Sequence, residues 1–247
     1  MKAAPSDQDP AECRRLLVEW FFSNSGNALR AMESDYLSKV IPFRYQQQIL
    51  QIGSLGWERE YYDPDVRSDF VVVDRVAAAD ESTGRIVANC GEIPLEPESM
   101  DVVIVPHCLE FESDQYGVLV EAERILKPEG RLILLLFSPW SRKRFVHYPD
   151  GFRGMVPWCG NFVGQHKLSH WLGLMDFDVS LVSYMNFRGA LSAARSVVDG
   201  LFFFASVSYG VRAVKRRYSV IPLLPERERV KGFIPASLLL PRSRLDG

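Results

Sequence analysis

Between Ile86 and Phe137 the chain reads as one strand–helix–strand unit, and no other stretch limits the fold so tightly. Asp101-Val102-Val103-Ile104-Val105 is a short apolar run that stops at Pro106. It shows no alternation, which suits a strand buried on both faces. Leu119, Ala122, Ile125 and Leu126 then fall on one helical stripe. Lys127-Pro128-Glu129-Gly130 breaks that helix, and a second apolar run, Leu132 to Phe137, follows. A βαβ unit with two parallel strands is predicted. In open sheets of this type, ligands sit beyond the carboxyl ends of the strands. Those ends carry His107-Cys108-Leu109-Glu110 and Ser138-Pro139-Trp140-Ser141.

Several motifs lie in fixed order here. Ile93-Pro94-Leu95 precedes Asp101-Val102-Val103, then His107-Cys108-Leu109-Glu110, then Arg124-Ile125-Leu126-Lys127-Pro128-Glu129-Gly130. This order resembles the class I S-adenosylmethionine (SAM) dependent methyltransferases, with the likeness running over roughly residues 45 to 217. The resemblance implies an α/β, Rossmann-like fold with a seven-stranded, mostly parallel sheet. One strand would be antiparallel, and helices would cover both faces. It also implies SAM as cofactor. The expected organisation is an N-terminal helical cap over 1–44 and a methyltransferase domain over 45–222. An insertion is expected at about 142–164 and a flexible tail over 223–247, where Pro, Arg and Glu accumulate without periodicity.

A chain of 247 residues can bury a full core, and its 47 % apolar content is that of a globular protein. The formal charge of −2 gives no global attraction to nucleic acid or to an acidic membrane. The first fifteen residues lack the apolar core of a signal peptide, and no run of eighteen apolar residues suggests a membrane span. Cys13, Cys90, Cys108 and Cys159 show no paired spacing. That pattern points to reduced thiols in a cytoplasmic protein and against a disulfide frame or a metal site.

From Ala11 to about Ser38 the pattern is helical, with Leu16, Leu17, Trp20 and Phe21 on one side and an interruption at Ser23-Asn24-Ser25-Gly26. A first strand is expected over Ile49–Gly53. In the family it resembles, this strand ends in an acidic residue and a Gly-x-Gly-x-Gly loop, whose glycines let backbone approach the cofactor. Here the loop is Gly53-Ser54-Leu55-Gly56-Trp57. Leu55 and Trp57 stand at glycine positions. Gln51 stands where an acid would engage the cofactor's amine, and its carbonyl can accept the same bond. Gly53, Ser54 and Gly56 are the expected loop contacts. Residues 58–68 look shortened or irregular where a helix would ordinarily lie. Phe70–Asp74 reads as the second strand. Asp74 lies about twenty residues past the loop, the spacing at which a carboxylate holds ribose hydroxyls. The plainer alternative is a surface aspartate paired with Arg75. Arg85–Ala88 reads as the third strand. The resemblance then puts Asn89 at the adenine amino group, with Cys90 beside the ring; a turn-satisfying Asn89 is the plainer reading.

After the central unit, Arg142-Lys143-Arg144 reads as a solvated loop. The Gly-, Pro- and aromatic-rich stretch that follows supplies His147, Tyr148 and Trp158 as substrate-binding candidates, with Trp158–Phe162 as a wall. His166 and His170 sit i, i+4 on a predicted helix over 165–175, but no Glu-x-x partner completes a zinc motif, so no metal is assigned. Met175–Val179 begins a sixth strand, Leu191–Phe204 has a helical pattern, and Tyr209–Arg216 fits the antiparallel strand.

The resemblance therefore implies methyl transfer from SAM to a small molecule by in-line displacement. His107 is the candidate base, since imidazole titrates near neutrality; a pocket-lining histidine is the alternative. Because the loop departs from its glycines, a catalytically inactive protein keeping the fold as a binding scaffold is the second function. RNA methylation is a third, opposed by the lack of a basic stripe.

Overall fold

The computed structural model describes residues 10–41, 46–62, 69–75, 84–139, 160–186, 189–191 and 206–216. The expected substrate residues His147, Tyr148 and Trp158, the basic run 142–144 and the tail from 223 lie outside the described residues, as does most of the helix expected over 191–204. Leu191 itself closes a strand.

Two helices open the chain. α1 spans Pro10–Phe21 and α2 spans Asn24–Val40. Ser23 is the cap between them: its Oγ accepts from the Gly26 N–H at 3.2 Å and donates to the Trp20 carbonyl at 2.6 Å. The turn is tight enough to require glycine, because a β-carbon at Gly26 would lie 2.0 Å from the Trp20 carbonyl oxygen. Leu17, Trp20 and Phe21 of α1 and Leu29, Tyr36, Leu37 and Val40 of α2 are all buried. Each such side chain contributes about 1.5–3 kcal/mol on leaving water.

The strands are β1 (Gln48–Ile52), β2 (Asp69–Asp74), β3 (Gly84–Val87), β4 (Met100–Pro106), β5 (Leu126–Phe137), β6 (Phe177–Asn186), β7 (Gly189–Leu191) and β8 (Ser208–Lys215). They form one sheet in the order β3-β2-β1-β4-β5-β8-β6-β7. β1 to β5 pair in parallel, and β8 runs antiparallel between β5 and β6. All seven strands read from the sequence are present. The addition is β7, a three-residue strand that pairs antiparallel with β6 at the edge.

Alternate residues of the central strands feed two cores. Leu50, Ile52, Val103, Val105, Leu132 and Leu134 face α3 (Gln115–Ile125) and α4 (Gln165–Leu174), while Ile49, Val102, Ile104, Ile133, Leu135 and Phe137 face α1 and α2. Period-two burial on both faces is why these runs carry no polar alternation. Lys127–Gly130 does end α3, but it is a bulge within β5 rather than a turn ahead of it. Met100 pairs with Leu126 and Val102 with Arg131, so four residues loop out between consecutive pairings. Glu129 takes φ 61° there. No helix among the described residues is long and apolar enough to cross a membrane.

Candidate functional site

The carboxyl ends of β1, β2, β4 and β5, together with the start of antiparallel β8, converge on one sheet edge. Two polar clusters lie there, side by side.

The first surrounds Asp74, the last residue of β2. Asp74 does not pair with its neighbour Arg75. Arg14 of α1 reaches across and donates two hydrogen bonds, Nη1 to Oδ1 at 3.0 Å and Nη2 to Oδ2 at 2.9 Å. The Ser54 N–H adds a third at 2.8 Å. Burial works against the Arg14 charge, but Cys108, Asp74, Cys90 and Glu112 around it more than offset that and raise its pKa. The guanidinium lies over Gly53: a β-carbon there would be 2.7 Å from Arg14 Nη2 and 3.1 Å from Cys108 Cβ. Gly53 has φ +96° and Gly56 φ +79°, so both glycines hold backbone that other residues rarely adopt.

The loop between them is organised by Glu58, which the sequence reading passed over. Glu58 opens a 3₁₀ turn over Glu58–Glu60, all that stands in the described part of the irregular segment 58–68. Its Oε1 accepts from Leu55 N–H (2.7 Å), Gly56 N–H (3.2 Å), Ser54 Oγ (3.0 Å) and Gln51 Nε2 (3.1 Å). Gln51 is thereby committed inward: its Nε2 also donates to the Gly53 carbonyl at 2.7 Å, and its Oε1 accepts from Tyr61 Oη. It is not placed to engage a cofactor amine, contrary to expectation, because Tyr61 and Glu58 take its polar atoms. Leu55 and Trp57 are buried in the α1–α2 core, with Trp57 edge-on to Phe21 and Tyr61. Their bulk is turned into that core, and Arg14 covers Asp74 in their stead.

Asn89 Oδ1 accepts from the Gly91 N–H at 3.2 Å, as the turn reading anticipates, and from Arg75 at 2.9 Å. Arg75 also binds Glu112 at 2.6 Å. The cysteines are less scattered in space than in sequence: Cys90 and Cys108 Sγ atoms are 3.6 Å apart, both fully buried. The hydrogen bond to Cys90 and burial together push the Cys108 thiol's pKa well up. With Glu112 they bring three donor atoms within 4.8 Å of one another. The guanidinium of Arg75 already neutralises that carboxylate, and Arg14 stands beside both sulfurs, so the positive charge a metal would supply is provided by protein. His166 and His170 are exposed on α4.

The second cluster surrounds His107. This residue follows β4 in a left-handed conformation, φ 47°, which costs a histidine about 1–3 kcal/mol. Its Nε2 lies 3.0 Å from Glu33 Oε1 and its Nδ1 3.4 Å from Glu110 Oε1. Glu33 Oε1 also accepts from Ser208 Oγ at 2.7 Å, and Glu110 Oε1 from the Phe137 N–H at 2.7 Å. Burial alone would lower the imidazole pKa; the charge of Glu33 and hydrogen bonds to both carboxylates outweigh it and raise it to about 9. His107 is therefore held as a cation at neutral pH, which corrects its reading as a general base. The ring stacks on Phe137 at 4.0 Å and approaches Phe21 at 5.6 Å. Residues 160–162 pack against this cluster. Asn161 N–H donates to the Glu110 carbonyl at 2.6 Å, Phe162 meets Phe137 edge-on, and a β-carbon at Gly160 would lie 3.0 Å from Glu110.

Arg14 and Glu33 were not singled out from sequence, yet each leaves a signal. Arg14 stands three and seven residues before Leu17 and Phe21, and Glu33 four residues after Leu29 and four before Leu37, so both charges fall on the apolar stripes of their helices. For Ser208 and Glu58 no such signal exists.

Residues 47–134 match the family model described as a methyltransferase domain. The ubiquinone/menaquinone biosynthesis C-methyltransferase UbiE of Paraburkholderia phytofirmans is 30 % identical over 113 residues, covering 44 % of this chain and 45 % of that protein. An uncharacterised Escherichia coli protein, YafS, is 26 % identical over 95 residues, covering 38 % of this chain and 40 % of its own. The chain thus spans less than half the length of these relatives. Among solved structures, a SAM-dependent methyltransferase from Thermotoga maritima superposes with TM-score 0.62 at 14 % identity, over 83 % of this chain and all of the other. Geranyl diphosphate C-methyltransferase from Streptomyces coelicolor, solved with S-adenosyl-L-homocysteine, gives TM-score 0.52 at 13 % identity, over 77 % and 80 % of the two chains. The strand order and these superpositions show the Rossmann-like fold of the class I SAM-dependent methyltransferases, and the family-model match lies within its core.

Proposed function

We propose that this protein is a SAM-dependent methyltransferase that methylates a small molecule. The observation that carries the reading is the adjacency of the two clusters. Cys108, whose Cβ would lie 3.1 Å from a β-carbon at Gly53, is the next residue after His107, so the β1–β2 site and the β4–β5–β8 site share a wall.

The β1–β2 side fits the cofactor in its donor set. Asp74 offers a carboxylate to ribose hydroxyls, Gly53 holds the left-handed backbone of the loop and carries no side chain beneath Arg14, and Asn89 and Cys90 border the adjoining turn. Arg14 must release Asp74 before those hydroxyls can bind. SAM, when bound, supplies a sulfonium methyl that is already activated for displacement. What the chain must add is alignment of the acceptor and exclusion of water. The β4–β5–β8 side has the means for both: His107, Glu33 and Glu110 are fully buried polar anchors, and Phe21, Phe137 and Phe162 wall them.

Titration calorimetry with S-adenosyl-L-homocysteine tests the proposal. Micromolar binding that disappears in Gly53→Trp supports it. Absence of heat with the wild-type chain overturns it and leaves the scaffold reading.

A further inference from the structure

Resting on the methyltransferase reading, we infer that the acceptor is an amine, held as a cation by Glu33 and Glu110 inside the aromatic layer of α1 and β5.

The argument is one of charge and of unused hydrogen-bonding capacity. Two carboxylates, Glu33 from α2 and Glu110 after β4, are buried to within 1 % of complete. One cation, His107, lies between them. With both carboxylates ionised, the cluster keeps one negative charge after His107 is counted. Each carboxylate has spent only one oxygen. Glu33 Oε1 takes His107 and Ser208, and Glu110 Oε1 takes His107 and the Phe137 N–H, whereas Glu33 Oε2 and Glu110 Oε2 have no hydrogen-bond partner among the described residues. Buried carboxylate oxygens are ordinarily satisfied, and those that are not call for an absent partner. That partner must donate hydrogen bonds, and it gains most if it is positively charged.

The walls point the same way. Trp20 stands edge-on to Phe21 and Phe137, at 5.2 Å and 6.2 Å between ring centroids, and Phe21 stacks on Phe137 at 6.5 Å. Aromatic faces around a carboxylate favour an ammonium over a neutral or anionic group. A carboxylate or phosphate acceptor would meet like charge with little water to screen it. The UbiE relatives carry the name of quinone-biosynthesis C-methyltransferases, but this cluster is built of groups that a neutral quinone, which offers only acceptor oxygens, cannot satisfy.

The test uses three probes of matched size and different charge: phenethylamine, phenethyl alcohol and 3-phenylpropionate. Binding to the full chain is measured by calorimetry, with and without saturating S-adenosyl-L-homocysteine. The expected result is phenethylamine at least tenfold tighter than the alcohol, with no detectable binding of the carboxylate. Glu33→Gln and Glu110→Gln should each weaken the amine about tenfold and leave S-adenosyl-L-homocysteine affinity within twofold. Equal binding of amine and alcohol, tighter binding of the carboxylate, or no amine binding overturns the inference, and any of these fits a cluster satisfied by buried water alone. The wild-type comparison decides even if a variant fails to fold. S-adenosyl-L-homocysteine binding without amine selectivity sinks this inference alone; amine selectivity without cofactor binding sinks the methyltransferase reading and keeps the amine site.

Discussion

Arg14 closes on Asp74 through two hydrogen bonds of 2.9 and 3.0 Å, tying a helix that precedes the sheet to the carboxylate at the end of β2. The two side chains are only 12 % and 13 % exposed, so the pair is screened far less than a surface bridge. The same carboxylate is the one proposed to hold ribose hydroxyls, so Arg14 and the cofactor compete for it. Arg14→Gln should therefore tighten S-adenosyl-L-homocysteine binding by about tenfold, or roughly 1.4 kcal/mol. It should also loosen α1, seen as faster amide exchange over 10–21. Asp74→Asn should loosen α1 equally but weaken the ligand. If Arg14→Gln lowers affinity, the guanidinium is a cofactor contact and not a latch.

Glu58 gathers four donors on one oxygen: two backbone N–H groups, a hydroxyl and an amide. Removing it takes the acceptor from Leu55 N–H and from one of the two Gln51 Nε2 hydrogens in a buried loop, the other still bonding the Gly53 carbonyl. Glu58→Ala is expected to cost about 3 kcal/mol, since bonds to a charged acceptor are worth about 1.5–3 kcal/mol and orphaned donors add their desolvation. Glu58→Gln keeps an acceptor oxygen and should cost less than half as much. Urea unfolding of the three chains, with matching slopes, reads the difference directly.

Gly26 sits where α2 starts against the end of α1. A β-carbon there would be 2.0 Å from the Trp20 carbonyl oxygen and 2.7 Å from the Phe21 Cα, both backbone atoms that cannot swing aside. Gly26→Ala should destabilise by at least about 2 kcal/mol through overpacking. In a domain of this size that lowers Tm by roughly 4–8 °C. An unchanged Tm would mean that the α1–α2 corner is laxer than its contacts require.

Much of the architecture was legible because it rests on local pattern. The runs at Val102–Val105 and Leu132–Phe137 are apolar throughout, which only a strand covered on both faces tolerates, and Ser23–Gly26 breaks the helical stripe with cap chemistry. The sites were harder to read, because their residues meet across long sequence distances. Asp74 was read as a ribose-binding carboxylate, with a pairing to Arg75 as the alternative; Arg14, sixty residues away, takes it instead, and Arg75 turns to Glu112. Gln51 looked like a weakened cofactor ligand because its partners Tyr61 and Glu58 come from a turn with no periodicity. Leu55 and Trp57 looked obstructive in a loop that should be glycine; the structure turns both side chains into the core beneath α1. Spacing fixes which residues share an element, but it carries no information on which helix supplies the counter-charge.

His107 links pH to stability. Its pKa in the folded chain is raised to about 9 from 6.5, because Glu33 and Glu110 favour the imidazolium more than burial disfavours it. A group with a raised folded pKa binds its proton more tightly when folded. Its stabilisation is fully present below pH 6.5 and is lost as pH climbs through about 9. The span is worth on the order of 3 kcal/mol. Other groups also change charge in the alkaline range, so the wild-type slope alone does not isolate His107. The comparison with His107→Gln does, since glutamine keeps hydrogen bonding but has no charge to lose. Urea midpoints at pH 6, 7.5 and 9.5 should fall with pH for the wild-type chain. They should fall markedly less for His107→Gln, which would already be the weaker protein at pH 6. Parallel slopes in the two chains would mean that the imidazole is neutral between its carboxylates, and that one of them carries the proton.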